Sequence, residues 1–255
     1  MEPLIKIFGL EIPIYGVCWM AGIFISALIA LFLSKRQRIE KFDVVCSAVY
    51  ASIGGMIGSK LLFIAVTLKK IIEENIPFAA VLKGGFVFYG GLIGGIIGLL
   101  IYTKQYKLKF MEFTDLYACV LPFGHALGRI GCHASGCCYG IEYDGPFNVV
   151  YTESLGLTPL GTPLFPIQLL EAVILLILFI VLLIVFLRTE KRGLVTGIYL
   201  YAYSVLRFIL EFFRGDLERG KFMRLSTSQI VSILIIVCLS IIIIVSAKRR
   251  KKPKS

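Results

Sequence analysis

The chain has 255 residues, of which 58% are hydrophobic, and carries a net charge of +11; its mean hydropathy is +0.87. That apolar content excludes an ordinary water-soluble domain, and the positive charge lies on no water-exposed stripe interleaved with aromatic residues, which excludes a nucleic-acid binder. What remains is an all-α integral membrane protein that crosses a bilayer about seven times, in one domain covering residues 1–255.

In chain order the apolar blocks predict spans over Ile14–Leu33, Val44–Leu68, Gly84–Tyr102, Met111–Gly128, Leu169–Leu187, Gly193–Phe213 and Ser228–Ala247. Each is close to the roughly 20 helical residues that cross a hydrocarbon core. The first block is read as a retained span, because its basic residues follow it and no small-residue cleavage site comes after it. Two stretches fall outside the helical pattern. The segment at about 129–165, rich in Gly, Pro, Tyr and Thr, predicts an exterior loop folded against the bundle, and a shorter connection lies around Lys69 to Lys83.

Topology follows from the basic residues. Lys35, Arg36, Arg38 and Lys41 follow the first span, Lys104, Lys107 and Lys109 the third, Arg188, Lys191 and Arg192 the fifth, and a basic tail occupies 248–255. The positive-inside rule makes that side cytoplasmic, with the N-terminus outside. The tail has an electrostatic attraction to anionic headgroups as well.

Charges inside apolar spans are costly and therefore informative. Arg207 and Glu211 sit four residues apart in AYSVLRFILEFFR, a spacing that puts both on one helix face. They are either a structural ion pair or part of a polar site. The third span reads GGFVFYGGLIGG; its glycines, Gly90 and Gly91 among them, let another helix or a lipid head group approach the backbone. Tyr89 in its middle needs a partner for its hydroxyl.

The densest chemistry lies in GHALGRIGCHASGCCYG, from Gly124 to Gly140. Pro122 just before it is expected to end or kink the fourth span. Arg129 can grip a phosphate through two parallel hydrogen bonds. Cys132, Cys137 and Cys138 cluster beside it with His125 and His133. Three readings stand: a disulfide from Cys132 to Cys137 or Cys138, a metal site of Cys132, His133, Cys137 and Cys138, whose spacing fits no standard zinc pattern, or a reactive thiol beside Arg129 and a histidine. The remaining cysteines, Cys18, Cys46, Cys119 and Cys238, lie in apolar spans and read as small core residues.

GRIGCHASGCCYG resembles the signature of the prolipoprotein diacylglyceryl transferases, Gly-Arg-x-Gly-Asn-Phe-x-Asn-x-Glu-x-x-Gly, matching it at Gly128, Arg129, Gly131, Gly136 and Gly140. Tyr15-Gly16, the Gly-rich third span, Pro166, Gln168 and Glu171 in FPIQLLE, the run Arg207, Glu211, Phe212, Phe213, Arg214, and Ser228-Gln229 resemble further family landmarks in order. The resemblance implies an enzyme of the bacterial plasma membrane that moves the diacylglyceryl group of phosphatidylglycerol to the lipobox cysteine thiol of a preprolipoprotein, releasing glycerol phosphate. It implies catalytic work for Arg129, Arg207, Glu211, Tyr89 and Cys132, and lipid contacts for Arg129, Tyr15, Gly90, Gly91 and Gly140. No metal or organic cofactor is called for.

The chain departs from the family pattern where thiol activation is expected. Tyr89 stands in place of a histidine, and a phenol of pKa about 10 is a poor base. Cys132, His133, Ser135 and Cys137 replace asparagine, phenylalanine, asparagine and glutamate, and Phe165 replaces the histidine before Pro166. An alternative is therefore a divergent paralogue, a thiol-dependent membrane transferase with another acceptor. A small-solute transporter is the rival from another class, although no paired discontinuous helices mark a transport site.

Overall fold

The computed structural model describes residues 3–7, 10–74, 77–216, 221–222 and 225–251. The end of the basic tail, 252–255, lies outside the described residues. The chain divides into two compact units, Leu31–Thr114 and Met1–Ala30 with Asp115–Ser255.

The helices are α1 (Ile14–Leu33), α2 (Lys41–Glu73), α3 (Phe78–Lys83), α4 (Phe88–Gln105), α5 (Phe110–Ala134), α6 (Ile167–Arg188), α7 (Leu194–Leu210) and α8 (Thr227–Lys251). Strands among the described residues form only two-stranded antiparallel pairs: β1 (Leu4–Ile7) with β2 (Leu10–Pro13), β3 (Val149–Val150) with β4 (Pro163–Leu164), and β5 (Lys221–Phe222) with β6 (Leu225–Ser226). Among the described residues five helical stretches are long and apolar enough to cross a membrane: Ile14–Gln37, Lys41–Glu73, Ile167–Arg188, Leu194–Phe213 and Thr227–Val245. The other two expected spans are helical but less apolar. α4 is diluted by glycines and ends in Lys104 and Gln105, and α5 carries Glu112, Asp115, His125 and Arg129. Large apolar side chains such as Phe24, Met56, Ile180 and Ile242 are left uncovered by protein, as lipid-facing helices require.

Two expectations along the chain are corrected. Pro122 does not end its helix: α5 runs through it to Ala134, since a bundle of neighbouring helices tolerates the one lost backbone bond. The loop expected from about 129 therefore starts only after Ala134, and Arg129, Cys132 and His133 project from the helix. The third span, in turn, is not continuous from Gly84, because α3 ends at Lys83 and α4 begins only at Phe88.

In the unit Leu31–Thr114, α2 and α4 meet through glycine. A Cβ on Gly58 would collide with the Gly90 carbonyl, and one on Gly94 with the Gly54 carbonyl. The small-residue stripe thus serves helix packing. Lys60, charged in the middle of α2, is accommodated locally. Its Nζ donates to the carbonyls of Val81, Gly84 and Gly85 at 3.2, 3.0 and 3.3 Å, satisfying orphan acceptors at the end of α3. The rings of Phe63 and Phe86 lie 5.2 and 4.5 Å from the ammonium, within cation–π range.

In the other unit, α1 packs on α5 at small residues. A Cβ on Gly131 would come within 2.9 Å of Cys18 Cβ and 3.1 Å of Tyr15 Cα, and the Tyr15 backbone N–H donates to Ser135 Oγ at 3.2 Å. Ala126 of α5 packs with Ala172 and Leu175 of α6, flanked by Leu176 and Tyr203. Asp115, 1% exposed, closes the start of α7. It accepts from the Gly193 N–H at 2.6 Å, the Thr196 N–H at 2.8 Å and the Thr196 hydroxyl at 2.7 Å, so a carboxylate from one helix caps the positive end of another.

Replacing Asp115 by Ala is expected to destabilise this unit by about 3 kcal/mol, because charge-assisted bonds are lost and buried donors are left unpaired. Thermal unfolding of the detergent-solubilised variant measures this, and an unchanged midpoint would refute the cap.

Candidate active site

α5 projects His125, Arg129 and Cys132 at i, i+4 and i+7, a spacing that aligns them on one face. α6 contributes Gln168 and Glu171 from its first turns, and α7 contributes Tyr203 and Arg207. Glu171 is the centre of this polar cluster. Its side chain is 1% exposed, and it stands 3.1 Å from Arg129 Nε and 3.7 Å from His125 Nε2. The first is an ion pair in contact; the second is longer than a hydrogen bond. Tyr203 is within electrostatic reach of Arg129, and its ring meets the His125 ring edge-on at 5.5 Å. His125 is within electrostatic reach of both Arg129 and Arg207.

Arg207 pairs with Glu211 at 2.6 Å and donates from Nη2 to Ser228 Oγ at 3.2 Å. The four-residue spacing survives although Glu211 falls in a short 3-10 turn after α7. Arg214, next along, forms a two-point pair with Asp216 at 2.8 and 2.7 Å. Burial by itself would lower the Arg214 pKa, but hydrogen bonding and charge from Asp216 outweigh it and keep the guanidinium cationic. Among the described residues the Nη1 groups of Arg207 and Arg214 are buried without hydrogen-bond partners.

After α5 the chain turns sharply. Gly136 and Cys138 both take the left-handed conformation, with φ of 63° and 57°, and the Cys137 N–H donates to the Cys132 carbonyl at 3.0 Å. The turn is anchored from outside. Ser154 and Thr158 hydroxyls donate to the Gly136 carbonyl, and Gln168 Nε2 donates to the Cys137 carbonyl at 2.8 Å. The sulfurs of Cys132, Cys137 and Cys138 consequently lie within 4.8 Å of one another, with no disulfide joining them. Tyr15 faces all three thiols and Arg129. Gly140 sits where three segments are laced together: Gly140 bridges to Arg214, the Ile141 N–H donates to Phe213, and the Phe165 N–H donates to Ile141. A Cβ on Gly140 would strike the Phe165 carbonyl.

Of the residues expected from sequence, Tyr15, His125, Arg129, Cys132, Cys137, Cys138 and Gly140 thus share one unit with the Arg207–Glu211 pair. His133 turns away to Tyr151, its Nδ1 standing 3.1 Å from the Tyr151 hydroxyl. Tyr89, Gly90 and Gly91 belong to the other unit. There Tyr89 contacts the Phe88 ring, Gly90 meets Gly58, and Gly91 lies beside Ser59. Sequence reasoning assigned no role to Glu171, Tyr203 or Arg214. Glu171 had a visible signal, an acid at the head of an otherwise unbroken apolar span.

The prolipoprotein diacylglyceryl transferase family matches residues 2–245. The chain belongs to this family. It is 36% identical over 238 residues to the phosphatidylglycerol-prolipoprotein diacylglyceryl transferase of Clostridium tetani, covering 93% of this chain and 94% of that protein. Identity is 32% to transferase 2 of the same name from Clostridium perfringens, over 91% of this chain and 90% of that one. The protein so named in Proteus mirabilis is 31% identical over 93% and 88% of the two chains. The three-cysteine turn therefore occurs in a family member that aligns with most of the length of these relatives.

Within that turn the thiols are not equivalent. Hydrogen bonds from Cys132 and Cys137, together with the facing Arg214 and Arg129, pull the Cys138 thiol below its ordinary range, while Cys137, hydrogen-bonded to Cys132 and Cys138, is pushed up. A short iodoacetamide pulse at mildly acidic pH on reduced, chelator-treated protein should label Cys138 ahead of Cys137, read by peptide mass mapping. The reverse order would refute this ranking.

Proposed function

We propose that this membrane protein transfers the diacylglyceryl group of phosphatidylglycerol to the thiol of a lipobox cysteine in a preprolipoprotein. The observation that carries the reading is the set of guanidiniums in one unit, the largely covered Arg129 and the buried Arg207 and Arg214, of which the last two keep an Nη1 without a hydrogen-bond partner among the described residues. Unused, preorganised N–H donors in a site shielded from water suit a phosphodiester whose charge grows as its ester bond breaks. Arg129 is assigned to the phosphate, with Glu171 as its counter-charge, and Arg207 to the developing charge on the leaving glycerol phosphate, with Glu211 and Ser228 fixing its orientation. Tyr15, within electrostatic reach of Arg129, is assigned to the head group.

The bacterial plasma membrane and seven crossings belong to the same proposal. Support for seven comes from α4 and α5, two further helices that both lie between the apolar spans Lys41–Glu73 and Ile167–Arg188, and from basic residues that follow alternate spans. A reporter active only in the cytoplasm and fused to Ser255 should be active. A well-expressed but inactive fusion would remove the orientation.

A thiol-dependent transferase that carries the lipid on one of its own cysteines is the second reading, favoured by the thiols next to Arg129. Incubation with labelled phosphatidylglycerol and a lipobox peptide separates the two: thioether on the peptide supports the first reading, and a stable lipid adduct on the protein the second. In that assay Arg207→Gln should lower turnover by about 10²–10³-fold with folded protein retained. Arg129→Lys should also fail, since a point charge lacks the planar two-point grip. Wild-type turnover by Arg129→Lys would take Arg129 off the phosphate.

A further inference from the structure

Transfer to a thiol needs the thiolate, which is scarce at neutral pH. The chain has two histidines, and neither is well placed to act as an unencumbered base. His133 is turned to Tyr151, and His125 lies against Glu171 between two arginines. The turn after α5 instead gathers three sulfur ligands.

We propose that Cys132, Cys137 and Cys138 bind one thiophilic divalent cation of the zinc type, leaving a fourth position for the acceptor thiol. The inference rests on the transfer reading above and deepens it. Four-coordinate zinc holds thiolates at about 2.3 Å, so sulfurs in one tetrahedral shell stand about 3.8 Å apart. The three sulfurs here already lie within 4.8 Å of one another, and closing that gap needs only small side-chain rotations. The ligands are held in place by backbone rather than by chance. Cys132 sits in the last turn of α5, the Cys137 N–H is bonded to the Cys132 carbonyl, and Gln168, Ser154 and Thr158 hold the carbonyls of the turn.

Charge points the same way. A divalent cation with four thiolates carries two net negative charges, and Arg129 and Arg214 face Cys138 to offset them. The ligand set is three protein sulfurs with one open position, the arrangement of sites that act on a bound ligand rather than of closed structural sites, which use four. His133 is outside the sulfur group, so it does not fill that position.

The step balances without a redox partner. The acceptor R–SH enters the fourth position and loses its proton to solvent, because a metal-coordinated thiol is deprotonated. The sulfur lone pair forms a C–S bond to the glyceryl carbon of the lipid as the bond from that carbon to the phosphate oxygen breaks. The oxygen keeps the electron pair and leaves as glycerol phosphate, and the neutral thioether, a weaker ligand, departs.

The test uses the full-length protein in detergent, reduced, stripped with chelator and then titrated with Co²⁺ or Zn²⁺. One metal per chain should be retained after desalting, with a thiolate-to-cobalt absorption band. Cys132→Ser, Cys137→Ser and Cys138→Ser should each weaken binding by more than the roughly 10–100-fold that loss of an outer-shell partner costs, at unchanged thermal stability of the metal-free protein. No stoichiometric retention, or a band that persists in the Cys137→Ser, Cys138→Ser double variant, would overturn the site. Adding a lipobox peptide to the cobalt protein should shift the band, whereas its serine counterpart should not. If both peptides leave the spectrum unchanged, the open position is refuted. A shift without thioether formation would instead uphold the metal and acceptor site and defeat the transfer reading.

Discussion

Glu171 is the charge on which the polar interior of the larger unit depends. Arg129 and His125 both approach it from α5, and at 1% exposure it has no water to share its charge with. A guanidinium buried alone in a helical bundle is strongly destabilising, and removing one partner of a buried pair costs more than the pair contributes. The carboxylate therefore allows Arg129 to stand deep in the protein with its charge retained. Arg129 stands on an α5 that runs through Pro122 to Ala134 and carries Cys132 to the turn beyond it. Tyr203 completes the arrangement, its ring on α7 packed edge-on against His125 of α5.

The same economy governs the second tier of charges. Arg207 with Glu211 and Arg214 with Asp216 are neutralised locally, within four and two residues of sequence. Each still has a buried Nη1 without a hydrogen-bond partner among the described residues. An anion entering this region meets donors that need no reorganisation, the condition under which electrostatic stabilisation is largest. Asp115 and Lys60 show the structural counterpart of this logic: both are charges within the helical bundles, and both are spent on orphan backbone groups at helix ends.

The turn at Gly136–Cys138 links packing to chemistry. Two left-handed residues in three reverse the chain tightly enough to fold Cys137 and Cys138 back onto Cys132. Gly140, pressed against the Phe165 carbonyl and bridged to Arg214, then ties the turn to the segments that precede α6 and follow α7. Side chains distant in sequence, Arg214 and Cys138, meet because of that lacing.

Much of this was legible from residues alone. Continuous apolar runs announced membrane helices, since lipid demands them. The Arg207–Glu211 pair was visible because four-residue spacing is a property of one helix. The signature around Arg129, with Arg214 and the FPIQLLE segment, announced the family. Other features were not legible. The apolar blocks predict about seven spans, whereas five described helical stretches are long and apolar enough to cross a membrane; α4 and α5 carry glycine packing and buried charge instead of an unbroken apolar run. The reach of α5 beyond Pro122 depended on neighbours that no local pattern reports. The Glu171–Arg129 contact joins two helices at positions far apart in the sequence, and the meeting of three thiols depends on backbone angles at Gly136 and Cys138. Local periodicity records which residues share a helix face; which faces then meet is set by packing between helices, and only the folded chain contains that information.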